Sequence, residues 1–190
     1  MAATTHLSDD QVAAYHQNGF IIPDFQLPDA TLTEMRTAYD ALLERNADNP
    51  SLDPDFILGP HLNVPGAQGI KGDPVWLQFA HNADIISMVG QAAGPDLVLW
   101  GMTLFGKPAR DGKITPWHQD GDYYPIEPLQ TTTVWIALDD ATPENGCLRY
   151  MPGSHQQRRI FAHHWEERPE TTLTQVIDAA HYDDARAVDV

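Results

Sequence analysis

Apolar positions in the first half of the chain recur at helical spacing. Ser8-Asp9-Asp10-Gln11 has the form of a capping box and predicts a short helix that stops at Asn18-Gly19. Phe20-Ile21-Ile22 predicts a brief strand, broken at Pro23. Leu32, Met35, Tyr39, Leu42 and Leu43 form one stripe, predicting a second helix that starts near Pro28-Asp29 and ends before Asn49-Pro50. Ile85, Ile86, Met88, Val89 and Ala92 predict a third helix, with Gly94-Pro95 as its stop. These stripes are read as core faces.

Between the second and third helices, residues 50–75 are rich in Pro, Gly, Asp and Asn and predict a long irregular segment. Long segments of this kind often serve as lids, so it is expected to cover or line the mouth of a site. Lys71 sits in it, between Ile70 and Gly72, as a solvated lysine or a cation beside an anionic ligand. From Asp96 the periodicity shifts toward β: Asp96–Phe105, Thr131–Leu138 and Cys147–Met151 read as strands. Turn signals separate them, at Lys107-Pro108 to Asp111-Gly112, Pro143-Glu144-Asn145-Gly146 and Pro152-Gly153-Ser154. Helices first and strands later predict one domain over 1–190, mainly β with packed α-helices. Its helical part spans about 1–95, and a sandwich or barrel begins at about 96.

Composition narrows the function. The formal net charge of −16 opposes binding to nucleic acid or to an anionic membrane surface, and Arg158-Arg159 is too small a basic patch to offset it. Cys147 is the only cysteine, which excludes an internal disulfide and a Cys-based zinc site. No apolar run approaches the roughly 20 residues needed to span a bilayer. Met1–His6 lacks the basic and apolar regions of a signal peptide. The expectation is a protein of the reducing cytoplasm.

Chemistry concentrates at Thr115-Pro116-Trp117-His118-Gln119-Asp120-Gly121-Asp122-Tyr123-Tyr124. On a strand running into a turn, His118 and Asp120 point to the same face and can converge on one metal ion. An imidazole and a carboxylate are two members of the facial triad that holds non-haem iron with coordination positions left open. With nine His and 20 Asp in 190 residues, roughly one such spacing arises by chance. His181-Tyr182-Asp183 repeats it in a polar, Ala-rich run, and His164-Trp165-Glu166 is a near variant. Context favours His118 and Asp120, which lie between β-prone segments and before Gly121; the bland alternative is a surface His beside a solvated Asp.

Several blocks together carry a resemblance. Trp117-His118-Gln119-Asp120, Tyr123-Tyr124-Pro125, Trp135-Ile136-Ala137-Leu138-Asp139, Asn145-Gly146-Cys147-Leu148 and Pro152-Gly153-Ser154-His155 resemble the phytanoyl-CoA dioxygenase family. So does the opening Leu7–Gln11 through Asn18-Gly19-Phe20. The resemblance implies a double-stranded β-helix, a cupin-like jelly roll. It also implies Fe(II), with 2-oxoglutarate and O2 as co-substrates, hydroxylating a small organic molecule and releasing succinate and CO2. By position, His118 and Asp120 match two iron ligands and catalytic residues. Gln119 and Trp135 match co-substrate-binding positions, with core packing as the alternative for Trp135; Thr103, on the strand before the motif, is a candidate for the same pocket, and Lys71 matches if the loop before it is gapped. The carboxylate at Asp120 implies oxidation, where an Ala or Gly there would leave room for the chloride of related halogenases. His155 is read as a turn residue.

The resemblance also implies a distal His and, shortly after it, an Arg that grips 2-oxoglutarate. Neither has a match before Val190, and His163, His164 and His181 are poor substitutes by context. The expectation is therefore a fragment or truncated form whose jelly roll lacks its last strands. Two further readings stay open: an inactive remnant acting as a binding module, and a cupin-like metal enzyme that does not use 2-oxoglutarate. Tyr123-Tyr124 are expected at the mouth of the site. Substrate identity and oligomeric state are not encoded in any motif.

Overall fold

A computed structural model describes residues 6–66 and 68–190. The reading of the first residues as lacking a signal peptide falls largely outside that range. The elements are, in order, α1 (Asp9–Asn18), α2 (Asp29–Arg45), β1 (Ile57–Leu58), α3 (Val75–Ala80), α4 (Ala83–Ala93), β2 (Thr103–Leu104), β3 (Arg149–Tyr150), β4 (His163–Trp165), β5 (Gln175–Ile177) and β6 (Val188–Asp189). They fall into two compact units. Residues 6–8 and Pro23–Arg110 form the first, Asp9–Ile22 and Asp111–Val190 the second. Helix α1 thus belongs to the later unit.

In the first unit, α2 places Leu42 with Ile57 and Ile70 in a core that Tyr39, Leu43, Leu52 and Leu104 flank. Leu42, Ile57 and Ile70 are 0–1% exposed. The irregular 50–75 segment is thus packed into this core, and a free lid is not what it forms. Polar ties replace regular structure there. The Asn46 side chain donates to the Leu42 and Lys71 carbonyls and accepts from Lys71 N–H. Gln68 donates to Phe56 O and accepts from Leu58 N–H. Helix α4 begins where Asn82 Oδ1 caps the Asp84 and Ile85 amides and ends at Gly94. The short α3 was not anticipated, because six residues behind Pro74 show no complete periodic stripe.

In the second unit, the end of α1 is capped by the Pro152–Gln157 turn. Gly153 N–H, His155 Nε2 and the Gln156 amide donate to Asn18, His16 and Gln17 carbonyls, groups that an α-helix leaves unpaired at its C-terminus. His155 is therefore a turn residue, as expected. Gly19 stands at φ +87°, and a Cβ there would lie 2.5 Å from His155 Nδ1.

The β expectation is met only in fragments. Three separate two-stranded antiparallel pairs form: β1 with β2, β3 with β6, and β4 with β5. Phe20–Ile22 and Thr131–Leu138 adopt no strand, and of Asp96–Phe105 only Thr103–Leu104 is laddered. Val98 and Trp100 are 90% and 55% exposed. A strand requires a partner edge, and β-propensity alone does not supply one. Among the described residues no sheet closes into a jelly roll, and helix exceeds strand. None of their helices is long and apolar enough to cross a membrane.

Candidate metal centre

The His118–Asp120 pair is presented by a bend rather than by a strand. Trp117 O accepts from Ile177 N–H of β5, which ties the segment to the β4–β5 hairpin. Gln119 is extended (φ −119°, ψ 123°), and a 3-10 turn begins at Asp120 and runs to Tyr123. One extended residue preserves the i, i+2 relation that a strand would have given. His118 Nε2 accordingly lies 3.1 Å from Asp120 Oδ1.

The other polar atoms of both side chains are fixed. Pro116 O can only accept, so His118 Nδ1 donates to it at 2.8 Å. Thr133 Oγ1 donates to Asp120 Oδ2 at 2.8 Å. A proton on Nε2 makes the 3.1 Å contact an imidazolium–carboxylate pair. Burial, the largest single influence on His118, disfavours that charge, but hydrogen bonds to Asp120 and Pro116 outweigh it and raise the pKa. The hydrogen bond from His118 holds the Asp120 carboxyl below the ordinary carboxylate range against the opposing effect of burial, with help from Thr133.

A ring nitrogen anchored through its N–H to a backbone carbonyl leaves the other nitrogen directed at a ligand, the usual arrangement of a metal-binding His. Asp120 Oδ1 faces the same point while Thr133 occupies Oδ2. The donor set, one imidazole and one carboxylate, suits a divalent iron-type cation. Among the described residues no group of three or more His, Cys, Asp and Glu side chains is arranged so that it could hold a metal ion. His164 contacts Asp178 and Glu166, and His181 stacks on Phe161. His163 does reach the motif, but at its backbone: Gln119 N–H donates to His163 Nε2 at 3.3 Å.

The predicted co-substrate residues fare differently. The Gln119 side chain is engaged with backbone, accepting from Phe161 N–H at 2.7 Å and donating to Arg159 O at 3.2 Å. Trp135 is 44% exposed in a segment without ladder partners. Thr103 lies in β2 opposite Leu58, and Lys71 is exposed with its backbone N–H on Asn46; both belong to the first unit. Tyr123 places its ring edge-on to His118 with centroids 6.4 Å apart. Burial, followed by the Asp120 charge, raises the Tyr124 pKa. Thr133 was missed by sequence reasoning. It is one of three consecutive threonines in a β-rich run, and nothing local marks it as the partner of a residue 13 positions away.

A sequence model of the phytanoyl-CoA dioxygenase (PhyH) family matches residues 15–190. A probable phytanoyl-CoA dioxygenase of Caenorhabditis elegans is 26% identical over 166 residues, covering 79% of this chain and 53% of that protein. The peroxisomal phytanoyl-CoA dioxygenase of Homo sapiens is 25% identical over 162 residues, covering 79% of this chain and 48% of that protein. Phytanoyl-CoA dioxygenase 1 of Oryza sativa subsp. japonica is 36% identical over 85 residues, which are 44% of this chain and 30% of its own. The chain thus spans about half or less of the length of these relatives.

Proposed function

This chain belongs to the phytanoyl-CoA dioxygenase family, and we propose that it carries part of the active site of an Fe(II)- and 2-oxoglutarate-dependent dioxygenase that hydroxylates a small organic molecule. The observation that carries this reading is the 3.1 Å approach of His118 Nε2 to Asp120 Oδ1, with each side chain's second polar atom anchored. His118 and Asp120 would hold the iron. When bound, iron with 2-oxoglutarate supplies the oxidising chemistry, and succinate and CO2 are the co-products.

The chain's own residues prepare that site. Pro116 O keeps the His118 ring oriented, so loss of the Nε2 proton exposes a lone pair already aimed at the cation. The Thr133 hydroxyl holds Asp120 Oδ2 and leaves Oδ1 to face His118 Nε2. Tyr123 flanks the imidazole with its ring edge-on. We assign Trp135, Thr103 and Lys71 to the co-substrate, and the β part to a jelly roll, on the family pattern. The single free Cys147 suits a reducing cytoplasm. The family pattern points to a small-molecule substrate, and the acidity of the chain argues against nucleic acid.

The test measures Co(II) or Fe(II) affinity together with metal-dependent succinate formation from 2-oxoglutarate. His118→Ala or Asp120→Ala is expected to remove metal binding while the unfolding midpoint stays near that of the wild type. Unchanged affinity in both variants sinks the site assignment. Metal binding without 2-oxoglutarate turnover points instead to a cupin-like enzyme of another chemistry or to an inactive binding module.

A further inference from the structure

His163 and Gln119 form a clamp on the backbone between the two metal ligands, and this assignment rests on the reading of His118 and Asp120 as such. A peptide N–H can only donate, so His163 Nε2 accepts from Gln119 N–H at 3.3 Å. That fixes the proton on Nδ1, which donates to Phe161 O at 2.9 Å, with Asp122 Oδ1 lying 3.8 Å from the same nitrogen. The ring is 5% exposed and has both nitrogens engaged. It has no lone pair left for a metal.

We propose that His163 is a positioning residue. Through Gln119 it holds His118 and Asp120 in the arrangement that receives the cation. Gln119 is gripped at three points, by its backbone N–H on His163 and by its side-chain amide on Arg159 O and Phe161 N–H. The amide pairs with the 159–161 backbone much as a neighbouring strand would. His163 opens β4, where it pairs with Ile177 of β5, and Ile177 N–H in turn donates to Trp117 O. The hairpin thereby fixes both the residue before His118 and the residue after it. Free rotation at Gln119 would separate the two donor atoms, because only one residue links them. Gln119 on this assignment acts on the ligands' geometry rather than on the co-substrate.

The experiment compares His163→Gln, whose side-chain oxygen can take the place of Nε2 as acceptor, with His163→Leu, which has none. Two quantities are read: hydrogen–deuterium exchange at the Gln119 amide in metal-free protein, and Co(II) affinity. In His163→Leu, exchange at Gln119 is expected to speed up at least about tenfold. Its Co(II) affinity is expected to fall roughly 10–100-fold, while His163→Gln stays within about threefold of wild type on both readouts. If His163→Leu does not fold, Gln119→Met removes the two side-chain amide bonds away from the buried ring and carries the same expectation for affinity. Unchanged Gln119 exchange in His163→Leu overturns the clamp. So does loss of Co(II) affinity in His163→Gln with the Gln119 amide still protected, which would make His163 a ligand. Failure of the wild type to bind Co(II) counts against the metal reading, whereas the exchange measurement judges the clamp by itself.

Discussion

The 50–75 segment of the first unit and the 115–124 segment of the second are both short of regular structure and both tied by hydrogen bonds, yet only the first adds a buried apolar core to those ties. The first buries Ile57 and Ile70 almost completely against Leu42 of α2, and its Pro60 is buried as well. The second is half-buried and fixed by directed hydrogen bonds to Pro116 O, Thr133, His163 and the β4–β5 hairpin. Apolar burial is strong and non-directional, and it fixes a fold without needing particular atoms to meet. Polar ties contribute little net stability each but specify where an atom sits. A site for a cation needs the second kind of fixing.

Leu42→Ala breaks the comparison hardest. Deleting a fully buried Leu should cost about 2–5 kcal/mol in denaturant unfolding, with Co(II) affinity of the folded protein unchanged. A matching loss of affinity would mean that the two segments are not held independently. Thr133→Val should do the reverse. Removing the donor to Asp120 Oδ2 is expected to lower Co(II) affinity about tenfold with little change in the unfolding midpoint, and Thr133→Ser should restore it. Equal affinities in all three forms would show that Asp120 needs no second tether.

The smallest effect is expected at Asp184, which accepts from Trp117 Nε1 at 3.0 Å and from Arg149 at 2.9 Å. The hydrogen bond from Trp117, then that from Arg149, holds its carboxyl below the ordinary value of 3.8. A depressed carboxylate contributes stability that is present above its unfolded value and lost as pH falls through the folded one. Because the Arg149 pair is exposed, the contribution is slight. Asp184→Asn should therefore show a small stability deficit at pH 7 that shrinks at pH 3, followed by tryptophan fluorescence. A deficit equal at both pH values would assign the effect to shape rather than to charge.

How much could be read beforehand follows the range of the forces involved. Helices α1, α2 and α4 were legible because caps, stops and stripes are local: Gly19 and Gly94 end two of them where the pattern stops. The β-rich runs around Val98 and Val134 were legible as apolar but not as unpaired, since a ladder depends on an edge supplied from elsewhere. Residues 50–75 looked like a lid because polar composition hides Ile57 and Ile70, whose burial depends on Leu42.

The same division runs through the site. Residue order by itself determined that an imidazole and a carboxylate stand two positions apart, and one extended residue suffices to turn them to the same side. It also carried the blocks that mark the family. Only the tertiary structure decided which atoms keep them there. Thr133, 13 residues from Asp120, and His163, 44 residues from Gln119, have no local signature, because a hydrogen bond between distant residues exists only after the chain has brought them together.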